Sequence, residues 1–132
     1  MKKFVLPVKL ETMKHIKNLF ICVVLFTCMA FQNSQNQQLK YFAQVQLNTN
    51  DASIQDEIEA SIRNNPNCFV VRLDRITNGL LIVTKEINSF TKDDLTSWMV
   101  GNENVIECSR IGIQGLDDHF AFDDTFCDKV NQ

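Results

Sequence analysis

Between Tyr41 and Ile111 the apolar residues keep changing their spacing, and this rhythm limits the fold more than any other feature of the chain. Tyr41, Ala43, Val45 and Leu47 fall on one side of an alternating run, with Gln44 and Gln46 on the other. Period two predicts a half-buried strand. Residues 48–51 (NTND) break it, and Asp51 is placed to cap a helix. Ile54, Ile58 and Ile62 then recur every four residues, with Asp56, Glu57, Glu59 and Arg63 between them. That is one apolar stripe on a helix of about three turns. Residues 64–67 (NNPN) end it.

A second strand is expected over 68–73 (CFVVRL), a tight turn at Asn78-Gly79, and a third strand over 80–84 (LLIVT). The third run is continuously apolar, as a central strand covered on much of both faces would be. Thr91 and Asp94 have the spacing of a capping box, Leu95, Trp98 and Met99 supply a helix stripe, and Gly101 is placed to end it. Residues 105–111 (VIECSRI) make the last strand. The order β-α-β-β-α-β predicts an α+β, ferredoxin-like domain over 40–112. Right-handed crossovers put the first and third strands at the centre of a four-stranded antiparallel sheet. The second and fourth become edges, both helices cover one face, and the other face is left open. Residues 113–132 have no regular period but carry Phe120, Phe122 and Phe126 among acidic residues. Three aromatics do not stay in water, so this tail is expected to fold back on the open face or an edge, or to be covered by a partner.

The order and length from Tyr41 to Ile111 resemble the heavy-metal-associated family of small ferredoxin-like domains. In that family the first strand leads into a loop with two cysteines spaced CxxC. The corresponding loop here, 47–53 (LNTNDAS), holds no Cys, His or Met. The resemblance therefore implies the fold, while the family's metal-binding residues carry over to no position. Soft ions such as Cu(I) need thiolate or thioether ligands. No cofactor is expected.

Charge divides the chain. Residues 1–38 hold five lysines and one glutamate, net +4; residues 39–132 hold eight basic and fifteen acidic residues, net −7. A body this acidic repels nucleic-acid phosphates and anionic lipid, so nucleic acid is excluded as a partner and a membrane is reached only through the leader. Within the leader, residues 19–31 (LFICVVLFTCMAF) carry no charge. As a helix they would span about 20 Å, short of a bilayer core of roughly 30 Å. Lys14 and Lys17 precede them. Residues 13–30 therefore read as a secretory signal peptide cleaved after Ala30. The alternatives are a short uncleaved anchor, or a lipoprotein acylated at Cys28. Translation is expected to start at Met13, leaving 1–12 as an extension that a signal does not need. Residues 31–39 follow as a polar linker.

Export implies an oxidising compartment: periplasmic, secreted or surface-associated. Three cysteines lie beyond the signal. Cys68 and Cys108 belong to opposite edges, roughly 14 Å apart at ordinary strand spacing, too far for a disulfide. Cys108 with Cys127 is the best pair, closing the tail onto the last strand. Cys68 is then left as a buried thiol, or as a reactive or intermolecular one. His119 is the one histidine outside the leader. With Asp117, Asp118 and Asp123 it could form an oxygen-rich metal site, although the spacing fits neither an EF-hand nor a zinc motif. No phosphate loop and no nucleophile elbow is present. The reading is a non-catalytic module that binds another protein, or a second copy of itself. It would use the open face (Phe42, Gln44, Gln46, Val70, Arg72), an edge strand or the tail. The alternative is a divergent metal-binding or metal-sensing protein that uses its cysteines or its acidic tail.

Overall fold

The computed structural model describes residues 37–132. The 1–12 extension, the 13–30 signal with Met13 and Cys28, and the linker up to residue 36 lie outside the described residues. The elements run β1 (Leu39–Leu47), α1 (Ala52–Arg63), β2 (Cys68–Asp74), β3 (Gly79–Ile87), α2 (Lys92–Trp98), a 3-10 turn (Glu103–Val105), β4 (Ile106–Ile113) and α3 (Phe126–Val130). The four strands form one antiparallel sheet in the order β2-β3-β1-β4. This is the α+β, ferredoxin-like arrangement, with β1 and β3 central and Cys68 and Cys108 on opposite edge strands.

Local chemistry sets the helix starts. Asp51 Oδ1 accepts from the Ser53 and Ile54 N–H groups at 2.8 and 3.4 Å, satisfying donors that the first turn leaves free. Thr91 and Asp94 close a reciprocal capping box. The β2–β3 hairpin turns through Asn78 at φ +54°, a left-handed conformation that asparagine tolerates. The Asn78 side chain accepts from Gln55 Nε2 at 2.9 Å and donates to Asn50, tying the turn to the start of α1.

One face of the sheet (Ala43, Val45, Leu47, Val71, Leu80, Ile82) packs on Ile58 and Ile62 of α1 and on Leu95, Trp98 and Met99 of and after α2. Phe90 and Trp98 rings meet at 4.8 Å beneath α2.

Several boundaries differ from the sequence expectation, each for a pairing reason. β1 begins at Leu39, inside the stretch read as linker, because Leu39 and Lys40 pair with Ile87 and Glu86. The same pairs carry β3 past Thr84. A bulge between Lys40 and Phe42 accompanies this, and the fully buried Thr84 hydroxyl accepts from Tyr41 N at 2.9 Å there. α2 stops at Trp98, three residues before Gly101, which takes φ +81° in the turn beyond. The tail, expected to be irregular, ends in α3.

Candidate interaction surface

Phe42, Gln44 and Gln46 stand on the sheet face opposite the helices, level with Gly112, Arg110 and Cys108 of β4. The tail lies across them. Gln114 N donates to Lys40 O at 2.9 Å as the chain leaves β4. The His119 ring stacks on Phe42 at 4.0 Å. Gln44, only 2% exposed, donates from Nε2 to Phe120 O at 2.6 Å and accepts from Phe120 N at 2.8 Å. The Arg110 guanidinium sits 4.0 Å from the Phe120 ring centre and 5.5 Å from that of Phe42, and donates to the Asp118 carbonyl. The Phe122 ring rests directly on Gly79, where any β-carbon would collide with it. Phe126 is 1% exposed and meets Phe122 at 4.9 Å. Cys108 and Cys127 lie at disulfide distance, with Cα atoms 5.6 Å apart.

The expectation that the tail returns to the open face therefore holds, and it changes which residues a partner can reach. Phe42 and Gln44 are buried by the chain's own tail, and Gln46 donates to Thr77 O at 2.6 Å. Val70 and Arg72, on β2, remain exposed.

β2 is bonded on one side only, to β3. Register slips between Cys68 and Val70, so Phe69 is the extra residue of a bulge. Phe69 is 62% exposed, Val70 is 40% exposed, and Lys40 Nζ lies 5.1 Å from the Phe69 ring centre. An exposed aromatic and an exposed valine side by side on a free edge form a surface that water disfavours. Sequence reading included Val70 but missed Phe69. Strict alternation puts residue 69 on the covered side, and only the bulge brings it out.

A cleft of about 410 Å³ opens between the β2–β3 turn, β4 and the tail. Phe122 and Phe126 line its apolar side, and Cys127 and Gln46 contribute to the wall. Glu107, Asp123 and Asp124 supply its charge. Asp123 accepts from the Thr125 hydroxyl at 2.7 Å and pairs with Lys129 at 2.9 Å. Together these hydrogen bonds pull its carboxyl down to about 2. Ile76, on the lip, is 94% exposed. Thr77 also lines the wall, and the Asp74 carboxyl of the same turn is held below its usual value by the Ile76 N–H and, after it, by the Thr77 hydroxyl. Nothing in the sequence marked this cleft beyond one apolar residue, Ile76, inside a polar turn.

The four tail residues considered as metal ligands are not brought together. Asp117 Oδ2 accepts from Ile113 N at 2.6 Å, His119 stacks on Phe42 with Nε2 3.1 Å from Gln114 Oε1, and Asp123 is engaged as above. Among the described residues no group of three or more His, Cys, Asp or Glu is placed to hold a metal ion. Cys68 is half-buried rather than fully buried, and packs at the margin of the core. Burial pushes its thiol up, against the opposing pull of Arg63 and Lys85. No helix among the described residues is long and apolar enough to cross a membrane. Comparison with protein-family models, with curated proteins and with solved structures gives no match.

Proposed function

We propose that this is an exported, non-catalytic module that binds another protein through the β2 side of its sheet. One observation carries the reading: β2 is a free edge strand that holds Phe69 and Val70 in solvent while the tail covers Phe42 and Gln44 of β1 on the same face. An extended segment added to that edge gains main-chain hydrogen bonds and covers both side chains. A second copy of the chain is one such partner. Export fits the uncharged segment 19–31 behind Lys14 and Lys17, and the Cys108–Cys127 pair, which an oxidising compartment favours.

The test is a photo-crosslinking residue at position 69 in the exporting cell, with the same residue at Lys92 of α2 as control. One discrete adduct at 69 that is absent at 92 is expected, and its mass separates a second copy from a different protein. No adduct at 69, or the same pattern at both positions, defeats the reading.

A further inference from the structure

We propose that the β2 edge takes an extended acidic segment of the partner, with an apolar side chain against Phe69 and Val70 and a carboxylate two residues along, against Arg72. This rests on the protein-binding reading and names the chemistry of the partner.

The tail covers only part of the face opposite the helices. Phe42 and Gln44 are buried beneath it, whereas their register partners on β3, Val83 and Leu81, stay half-buried. Val83 and Leu81 pair in turn with Val70 and Arg72 of β2. An apolar strip therefore runs from β3 to the free edge and ends there at Val70, with Phe69 turned out by the bulge. In a strand added to this edge, every second side chain points to the same face. The residue beside Val70 prolongs the strip if it is apolar, and the next one on that face stands beside Arg72.

Charge along the edge selects the partner. Lys40 Nζ lies 5.1 Å from the Phe69 ring centre, Arg72 is exposed in the strand, and Lys85 Nζ donates to the Pro66 carbonyl at 2.6 Å just before the strand begins. None of the three enters an ion pair among the described residues. Of the nearby carboxylates, Glu59 pairs with Arg63, Asp74 accepts from the Ile76 N–H of its own turn, and Glu86 is the register partner of Lys40. Residues 39–132 as a whole carry a net −7. An acidic segment is thus repelled by most of the surface and attracted to this edge, which steers it there. A basic segment meets the opposite field. A second β2 laid on the first would set the same cations against each other, and like charges across paired strands are destabilising.

The experiment is an NMR titration of the isotope-labelled, oxidised exported chain. The probe is the blocked peptide Thr-Glu-Thr-Val-Thr-Glu-Thr, which offers the same face in either strand direction. Its controls are the peptides with both glutamates replaced by glutamine or by lysine. Saturable amide shifts confined to β2 and its β3 neighbours are expected for the glutamate peptide. The glutamine peptide should bind about fivefold more weakly, and the lysine peptide more weakly still. Arg72→Gln should bring the glutamate and glutamine peptides to within about twofold of each other, whereas Lys92→Gln on α2 should leave their ratio unchanged. An unaltered thermal melt for each variant separates loss of the site from loss of the fold. Equal binding of the glutamate and glutamine peptides to the native chain, preference for lysine, shifts centred on the tail, or no saturation overturns the proposal. So do β2 shifts that depend on chain concentration without peptide, which would assign the edge to a second copy. The crosslink at position 69 is scored separately: an adduct there without a preference for glutamate keeps the protein-binding reading and removes only the acidic partner.

Discussion

Gln44 holds both main-chain groups of Phe120, donating to its carbonyl and accepting from its N–H across 76 residues of sequence. A side-chain amide here takes the place of a fifth strand. It lets an extended tail lie on a sheet face, where no ladder of backbone bonds can form.

Replacing Gln44 with leucine keeps the bulk but leaves both Phe120 groups without partners. The expected cost is about 1–3 kcal/mol in urea denaturation. Hydrogen exchange at Phe120 should accelerate while the β1–β3 amides stay protected. An unchanged exchange rate at Phe120 would show that the tail is held by other contacts.

Cys127→Ser removes the covalent tie between the tail and β4. Denaturation should report a loss of about 2–4 kcal/mol. Proteolysis should then cut first after Phe120 or Phe122, with the four strands still intact. First cuts inside β4 would instead make the disulfide a requirement for the sheet itself.

Asp123 gives the tail a pH dependence whose sign follows from its hydrogen bonds. Its folded carboxyl titrates at about 2, below the ordinary 3.8, because Thr125 and Lys129 favour the charged form. The carboxylate therefore contributes its full stabilisation above the ordinary value, and this is lost as pH falls through about 2. NMR of the side-chain carbonyl should show the low midpoint, and Lys129→Met should move it upward. A midpoint unmoved in that variant would remove Lys129 from the account.

Cys68 should react slowly. Burial holds its thiol above the ordinary 9.0, so little thiolate is present near pH 8. Iodoacetamide should label it more slowly than a cysteine in a short peptide, and Lys85→Met should slow it further by removing one of the two cations that favour the thiolate. Labelling as fast as the peptide would make Cys68 an accessible, activated thiol.

The element order, both helix caps and the Cys108–Cys127 pair were legible in the sequence, because each depends on local spacing or on which edges the topology sets apart. What was not legible came from contacts distant in sequence. Phe69 is exposed because of a register slip against β3, and no feature of CFVVRL announces one. Gly79 reads as a turn residue, yet it also makes room for Phe122, more than forty positions later. Phe42 and Gln44 looked like an available surface because the path of the tail could not be drawn in advance.

The closure of this face also sets an order of events in the life of the chain. Phe42 belongs to β1, and His119, whose ring stacks on it, follows β4. A polypeptide delivered amino end first can complete its sheet and helical layer while this side remains bare. During that interval Phe42 joins Phe69 and Val70 in one continuous sticky strip, the condition under which nascent domains associate wrongly. Arrival of the tail ends the interval, and the Cys108–Cys127 bond then keeps that side from reopening.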